Sequence, residues 1–181
     1  AAGVEGMSRV PMTGFNPMPN PALAAKSAAY LGMGDTAENV AKKYSLSRAD
    51  QEAFAVKSQN KAGAAMQNGS FTDEIVPFTL ADGTVVDTDG TPRPGTTEED
   101  LAGLKLAFDA EGTVTAGTSS PLTDGAVAVL VCSADYAAKN GLTVMAKIKS
   151  MAISGCAPEI MGIGPVEASK KALERAGLTM D

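Results

Sequence analysis

Ala126-Val-Ala-Val-Leu-Val-Cys132 is an unbroken apolar run, and Ser133-Ala-Asp-Tyr-Ala-Ala-Lys-Asn-Gly141 follows it directly. A continuous apolar run of this kind is typical of a strand that is buried on both faces. The second segment places a serine at the N-cap position and ends on an Asn-Gly pair, so it predicts a helix. A buried strand followed by a capped helix indicates a layered α/β arrangement.

The next two segments continue this alternation. Residues 144–153 alternate between apolar or small side chains on one face and lysines on the other, which predicts a second strand. Pro165 stands at the first position of a predicted helix that runs to Ala176, with Gly177 just beyond it. We therefore expect an α/β protein whose last third is a βαβα layered framework and whose first two-thirds is an irregular α+β insertion.

Capping and turn signals predict the elements of the insertion. Residues 13–31 are predicted to be an irregular crossing. Two helices follow, one from Thr36 to about Tyr44 capped by Asp35 and Glu38, and a longer one from the Ser47/Asp50 cap to Asn68-Gly69. After them we expect a hairpin of residues 74–80 and 84–87 with Pro77 in its edge strand, a short helix over 97–104, and a strand over 113–115.

Composition and charge exclude several classes of function. The chain has 181 residues, is 44% hydrophobic and carries a net charge of −6 at pH 7, as a globular domain does. The acidic balance argues against a general nucleic-acid binder or a membrane-surface binder, and no apolar run is long enough for a membrane span. Because the chain contains no histidine, it has no Ser-His or Cys-His nucleophile pair of its own.

The cysteines and the two ends add information about context. Cys132 and Cys156 are too few for a disulfide framework or a zinc site, and we interpret them as reduced thiols of a cytoplasmic protein; a pair between them stays open. The chain opens on Ala1 without an initiator methionine or the charged region of a signal peptide, and it closes shortly after Gly177. Both ends therefore look cut from a longer sequence.

Three loops are candidate ligand sites, each with an ordinary structural alternative. The Gly117–Gly125 loop offers backbone N–H groups and hydroxyls to a polar ligand, or is a plain turn in which Asp124 caps the next element. Met161-Gly-Ile-Gly-Pro165 leads into a helix N-terminus, although such turns are usually structural. Arg93 stands between two prolines and is suited to a phosphate or carboxylate, or is simply solvated. The adjacent Glu98 and Glu99 do not converge on one site.

At these loops the sequence resembles the thiolases. The resemblance covers nearly the whole chain in order, and the variants at Thr118-Ser-Ser120 and Ser154-Gly-Cys156 favour the 3-ketoacyl-CoA thiolases of fatty-acid oxidation. The matching blocks are Met33-Gly-Asp-Thr-Ala-Glu-Asn-Val-Ala-Lys-Lys-Tyr44, Ser47-Arg-Ala-Asp-Gln-Glu-Ala-Phe54, Gly112-Thr-Val-Thr-Ala-Gly-Thr-Ser-Ser120, Asp124-Gly-Ala126, Met161-Gly-Ile-Gly-Pro165 and Lys171-Ala-Leu-Glu-Arg-Ala-Gly177.

The resemblance implies a thiolase-like fold whose parts map onto numbered segments. It assigns residues 1–12 to the end of the N-terminal half, 13–120 to the CoA-binding and oligomerisation loop domain, 121–143 to the closing elements of that half, and 144–181 to the start of the C-terminal half. Strands 126–132 and 147–153 would pair with strands absent from this chain, so we expect exposed apolar edges.

The resemblance also implies where catalysis does and does not reside. Thiolases use a nucleophilic cysteine upstream of this segment, with asparagine- and histidine-bearing motifs and a second cysteine downstream. None of these motifs is present here, and neither Cys132 nor Cys156 stands in a matching context. We therefore expect no catalytic residue in this chain and no turnover by it alone.

Coenzyme A binding is what carries over by position. Ser120 resembles the serine that binds the pantetheine arm, and Ala116 lines the same tunnel. Phe108 and Arg93 match residues near the adenine and its phosphates, Met161 the methionine at the acyl end, and Met33 a loop residue over the pantetheine. Gly32 and Asp100 depart from the short-chain biosynthetic pattern, which has a histidine and a serine there.

The resulting hypothesis is the CoA-binding central portion of a thiolase, whose parent cleaves or forms 3-ketoacyl-CoA through a cysteine acyl-enzyme. Coenzyme A and acyl-CoA are its substrates and no cofactor is expected. We expect a homo-oligomer (dimer or tetramer), a β-oxidation multienzyme complex as a candidate partner, no nucleic acid and no membrane span. The alternatives are a non-catalytic thiolase-like binding or oligomerisation module, and an unrelated acidic α/β interaction domain.

Overall fold

The computed structural model describes residues 1–180 and divides into two compact units. The first unit combines Ala1–Thr36 with the chain from Leu122 onward, and the second is Ala37–Pro121. The second unit is shorter than the predicted loop domain of residues 13–120. Compactness and family boundaries are different properties, so the predicted domain limits stay predictions.

A two-stranded antiparallel sheet forms in the first unit. Strand β1 (Ala2–Gly6) pairs with strand β4 (Asp124–Ala128), which places Ala2 opposite Ala128 and Gly6 opposite Asp124. The chain's amino group extends the pairing, since it donates to the carbonyl oxygen of Val129 at 2.7 Å. The apolar run thus does contain a strand, which begins two residues earlier than the run itself.

The prediction that this strand is buried on both faces is wrong. Every residue of β4 is exposed, and the apolar run remains exposed after it, with Leu130 at 71%. Burial of both faces requires layers packed against a sheet, and a two-stranded sheet has too few strands to support them. Exposed apolar edges were expected from the resemblance, and the structure has them.

Residues 144–153 carry the alternating pattern of a strand but form none. The structure assigns no regular element there, and Ile153 is 91% exposed. No strand among residues 1–180 pairs with this segment, so its backbone has no ladder to join. It is held instead by helix α6 (Gly164–Ala176), whose Ala172 carbonyl accepts the Ser150 hydroxyl at 2.5 Å.

The two predicted helices of the first unit are present, and α6 begins at Gly164, one residue before the predicted first position. Helix α5 (Ala134–Lys139) is capped by Ser133, and α6 ends at Gly177, whose φ of +65° is in the left-handed region. A one-turn helix, α1 (Pro21–Ala24), interrupts the predicted irregular crossing. A 3-10 helix spans Pro158–Ile163 immediately before α6.

Helix α2 (Met33–Tyr44) starts earlier than predicted and runs into the second unit. The Thr36 amide donates to the Gly32 carbonyl, so the helical hydrogen bonds begin before Asp35. Asp35 therefore lies inside the helix, and Glu38 makes contacts elsewhere that are described below. The predicted capping role of Asp35 and Glu38 is wrong.

The remaining elements of the second unit follow local signals closely. Helix α3 (Arg48–Gln67) is capped by Ser47, and helix α4 (Glu98–Ala102) is capped by Thr97; each has a reciprocal capping box with an aspartate. The hairpin is confirmed but short, with β2 at Phe78–Thr79 and β3 at Val85–Val86. The predicted strand at 113–115 forms only one antiparallel bridge, between Leu106 and Thr115.

The core of the second unit is small. Its buried apolar residues are Ala41, Leu101 and Val114. Thr115, which follows Val114 in the sequence, is completely buried. A core of this size leaves a large share of the positioning to hydrogen bonds between loops and helices. Among the described residues, no helix combines the length and apolar character that crossing a membrane would require.

Candidate functional site

A groove with a volume of about 640 Å³ lies within the second unit, between α3 and the turn that contains Ser120. Its walls are mostly small, hydroxyl-bearing or amide side chains, and Asp50 is the one ionisable residue in the lining. The lining residues are Leu46, Asp50, Gln51, Phe54, Ala55, Ser58, Gln59, Ala62, Thr91, Pro92, Gly117, Thr118, Ser119, Ser120 and Pro121.

The turn at residues 117–121 forms one wall of the groove and is fixed by its own hydroxyls. Both Thr118 and Ser119 donate their hydroxyls to the Thr115 carbonyl, at 3.2 and 2.8 Å, and the Thr115 amide donates back to Thr118 Oγ1. These two hydroxyls are therefore used within the turn. The Ser120 hydroxyl is exposed and has no hydrogen-bond partner within residues 1–180, so it is free to bind a ligand.

Glu38 fixes the chain that leads into this turn. Its carboxylate accepts the backbone amides of Thr113 and Val114, the latter at 2.8 Å, and also the Thr113 hydroxyl. Gly112 permits the approach, because a Cβ there would lie 2.3 Å from Glu38 Oε1. The pattern around Asp35 predicted a local capping role for Glu38, and nothing nearby in the sequence signals a partner 75 residues away.

Arg48 holds helix α4 beside the same turn. Its guanidinium donates to the carbonyls of Leu101, Ala102 and Leu104, at 2.8 to 3.0 Å, and to the buried Glu52 at 2.6 Å. The arginine thus binds carbonyl groups at and just beyond the C-terminal end of α4, where the regular helical hydrogen bonds stop. The arginine thereby sets the position of the two leucines that face the turn.

Gly117 makes the close approach of α4 and the turn possible. A Cβ at this position would lie 2.5 Å from Leu101 Cδ2 and 2.6 Å from Leu104 Cδ1. Such distances are well inside van der Waals contact, so any side chain here would displace the leucines or the turn. The glycine at this position of the predicted ligand loop is thus explained by packing.

The loop over residues 89–96 forms the rim of the groove and is docked on α3. The Arg93 amide donates to Gln59 Oε1 at 2.7 Å, and Gly63 lies so close to Pro94 that a Cβ would be 2.6 Å from the proline Cβ. Asp89 closes the start of the loop by accepting the amide and hydroxyl of Thr91, and these hydrogen bonds lower the pKa of Asp89. Thr91 is thereby presented at the groove.

Two charges flank the groove. The Ser47 hydroxyl lowers the pKa of the Asp50 carboxyl, so Asp50 is ionised and places a negative charge in the lining. The Arg93 guanidinium is exposed and, within the part of the chain that the structure describes, makes no hydrogen bond or ion pair. The rim therefore presents an available cation next to Pro92.

The structure distributes the predicted binding residues over both units. Ser120 lines the groove, whereas Ala116, Phe108 and Arg93 lie in the same unit without being part of its lining. Phe108 is half exposed. Met33 and Met161 belong to the first unit and are both exposed, Met33 at the start of α2 and Met161 in the 3-10 helix before α6. Their proposed contacts with coenzyme A stay predictions.

Asp124 does not cap the element that follows it. Its carboxylate accepts the amide and the hydroxyl of Ser8, at 2.9 and 2.5 Å, across the end of the β1–β4 sheet. These hydrogen bonds, with the nearby Arg9, lower the pKa of Asp124. The predicted role of Asp124 as a cap of the next element is therefore wrong, because its partner is Ser8, just after strand β1. Cys132 and Cys156 are both free, exposed thiols.

Comparisons with known proteins point to one family. The family model described as "Thiolase, N-terminal domain" matches residues 1–135, and "Thiolase, C-terminal domain" matches residues 142–181. A 3-ketoacyl-CoA thiolase of Bacillus subtilis is 46% identical over 194 aligned positions, covering 99% of this chain and 49% of that protein. An acetyl-CoA acetyltransferase of Paracoccus denitrificans is 56% identical, covering 80% of this chain and 38% of its own length.

A solved structure gives the same result. The crystal structure of the dimeric peroxisomal thiolase of Saccharomyces cerevisiae matches with a TM-score of 0.90 and 38% identity, covering 99% of this chain and 47% of that one. The chain thus spans about half the length of the curated relatives it matches. Both family models, these relatives and this fold agree with the blocks found around the groove, and the chain belongs to the thiolase family.

Proposed function

We propose that this chain supplies the coenzyme A-binding surface of a thiolase. The parent activity would be acyl-CoA:acetyl-CoA C-acyl transfer, in the thiolytic or the condensing direction, through a cysteine acyl-enzyme. The observation that carries the proposal is the groove of the second unit, where the free Ser120 hydroxyl stands on a turn whose other hydroxyls are already bonded.

The chemistry of the groove supports a neutral, polar chain as its ligand. The pantetheine arm of coenzyme A carries amides and a hydroxyl but no charge, and the lining offers hydroxyl and amide side chains along an otherwise apolar wall. Asp50 would repel phosphate from the groove interior. The phosphates would therefore lie outside, where Arg93 offers a guanidinium with five donors.

Catalysis would require residues that this sequence does not contain. The chain contains no histidine, so it lacks the histidine that the thiolase motifs carry for acid–base catalysis. We therefore expect no turnover by this chain alone. We further propose that the parent works as a homo-oligomer, as the dimeric yeast relative does. A location in the cytoplasm is our proposal from the two unpaired cysteines, and the yeast relative differs in being peroxisomal. The proposal covers both the degradative and the biosynthetic direction, because a 3-ketoacyl-CoA thiolase and an acetyl-CoA acetyltransferase both match.

The binding proposal is tested by titrating coenzyme A into the 181-residue chain in a calorimeter. Ser120→Ala should weaken binding by about three- to tenfold, the effect of one lost hydrogen bond, and Ser120→Tyr should abolish it by filling the groove. Ser169→Ala, on the exposed face of α6, is the matched control and should bind as the unaltered chain does. Equal affinity of Ser120→Tyr would contradict the proposal.

The proposed lack of turnover is tested separately. A thiolysis assay with acetoacetyl-CoA and coenzyme A should show no product above the uncatalysed rate. Activity that is measurable and is abolished by Ser120→Tyr would show that the chain catalyses by itself, and would contradict this part of the proposal while leaving ligand binding intact.

A further inference from the structure

Gln51 is a half-buried residue of α3 that lines the groove and also reaches the chain fixed by Glu38. Its side-chain nitrogen Nε2 donates to Thr113 Oγ1 at 2.8 Å. Thr113 Oγ1 lies in turn 3.1 Å from Glu38 Oε2. The three side chains form a continuous hydrogen-bonded row from a carboxylate on α2 to an amide in the groove wall.

The chemistry of this row fixes which end of the Gln51 amide faces Thr113. An ionised carboxylate can only accept hydrogen bonds, so the single hydroxyl hydrogen of Thr113 is donated to Glu38. The oxygen of that hydroxyl can then only accept, and Gln51 must present its NH₂ group to it. The carbonyl oxygen Oε1 is consequently the end of the amide that Thr113 leaves unused.

That carbonyl oxygen is a free acceptor in the wall of the groove. It makes no hydrogen bond to any of residues 1–180, although the nitrogen of the same amide is bonded to Thr113. The neighbouring amide of Gln59 differs, because its carbonyl already accepts the Arg93 amide. Within the groove, Gln51 therefore offers an acceptor with a fixed orientation, and Ser120 offers a donor on the facing turn.

We propose that Gln51 is a ligand-binding residue whose side-chain carbonyl accepts a hydrogen bond from an amide N–H of the bound ligand, with Glu38 and Thr113 as its positioning residues. This inference rests on the proposed function and names the contact: the ligand is the amide-bearing pantetheine arm of coenzyme A. An oriented acceptor favours a ligand with N–H or O–H donors over one that is purely acceptor-bearing.

The test compares Gln51→Met with Gln67→Met by titration of three probes into the full chain. Methionine keeps the length and apolar stem of glutamine but removes both polar ends, and Gln67 is an exposed residue at the end of the same helix, outside the groove. Gln51→Met should weaken coenzyme A and pantetheine by about three- to tenfold and leave adenosine 3′,5′-diphosphate unchanged. Gln67→Met should change none of the three.

The outcomes separate this inference from the proposed function. Coenzyme A binding that Ser120→Tyr abolishes and Gln51→Met leaves unchanged would overturn the role of Gln51 and uphold the groove. A chain that binds neither coenzyme A nor pantetheine would overturn both. Weakening of adenosine 3′,5′-diphosphate to the same degree would place Gln51 at the nucleotide and overturn the pantetheine contact.

The orientation of Gln51 is tested without ligand. In ¹⁵N-¹H spectra of the full chain, the side-chain amide protons of Gln51 should be widely separated and slow to exchange, because one of them is bonded to Thr113. Thr113→Val removes the hydroxyl at nearly constant shape, and should collapse that separation while weakening pantetheine by about two- to threefold. An unchanged Gln51 amide signal in Thr113→Val would overturn the positioning role.

Discussion

Both carboxylate oxygens of Glu38 accept the backbone amide of Thr113, at 3.0 and 2.9 Å, so a side chain of helix α2 supplements the single antiparallel bridge that residues 113–115 form. Charge-assisted bonds of this kind are stronger than those between neutral groups. Glu38 is thus an anchor of the chain that leads into the groove turn, together with Gln51, which donates to the Thr113 hydroxyl.

Glu38→Gln should lower the free energy of unfolding by about 2 kcal/mol, because an amide of the same shape offers one acceptor and turns an NH₂ group towards a backbone donor. Urea denaturation of the two chains measures this directly. Glu74→Gln is the matched control: Glu74 is exposed, its side chain makes no hydrogen bond within the described part of the chain, and the expected change is within about 0.5 kcal/mol. Equal stability of both variants would contradict the anchoring role.

Gly117→Ala should destabilise the chain by roughly 1–3 kcal/mol, since its Cβ would overlap the methyl groups of Leu101 and Leu104. Gly103→Ala, in the C-cap of α4, is the comparison. A Cβ at Gly103 meets no atom within 4 Å and its φ of −76° suits any residue, so stability should stay the same or rise. Thermal unfolding distinguishes the two. A neutral Gly117→Ala would show that α4 is not packed on the turn.

Arg48 and Glu52 should behave as a coupled pair in a double-mutant cycle. Arg48→Met leaves Glu52 buried without its cation and releases three carbonyls, and should cost about 3 kcal/mol. Arg48→Met combined with Glu52→Gln should cost less than the sum of the single changes, because the uncompensated charge is gone. Additive losses would mean that the arginine acts only through the α4 carbonyls.

The Ser8–Asp124 contact should make the stability of the first unit depend on pH. The pKa of Asp124 is lowered by its hydrogen bonds to Ser8 and by Arg9, whereas an aspartate in the unfolded chain has a pKa of about 3.9. The stabilisation is therefore complete above that pH and is lost as the pH falls through the lower pKa of the folded state.

Asp124→Asn should accordingly be less stable than the unaltered chain at pH 7 and should converge with it well below about pH 4. Ser8→Ala removes the largest cause of the lowered pKa and should shift the acid limb of the stability curve to higher pH. Unfolding midpoints in urea, taken from pH 7 down to the acid limb, give both curves. A constant difference between Asp124→Asn and the unaltered chain at every pH would exclude the carboxylate as the cause.

Those parts of the fold that depend on one helical turn were predictable from the sequence. Ser47 with Asp50 forms the predicted capping box, because donor and acceptor lie within three residues of each other, and the short helix predicted over 97–104 is present as α4. Gly177 ends α6 for the same local reason. Residues 117–121 of the predicted ligand loop line the groove, and ligand binding by this loop stays a prediction.

The contacts that shape the site were not predictable in this way. Glu38 stands where a capping residue would stand, and its actual partners become neighbours only after the chain returns to it. Gln51 carries no distinguishing pattern on α3, and its role follows from Thr113. The predicted burial of residues 126–132 is wrong for a physical reason. Hydrophobicity indicates that a segment favours burial, but burial requires another element to pack against it, and the pattern of the segment itself does not reveal that element.

The contact between Gly63 and Pro94 also has a consequence for how this family can vary. A Cβ at residue 63 would fall 2.6 Å from the proline Cβ, so neither position can change freely while the other stays as it is. Across related sequences, a larger residue at the position of Gly63 should be accompanied by loss of the proline or by a loop of different length. The two positions should therefore covary, although one belongs to a helix and the other to the groove rim.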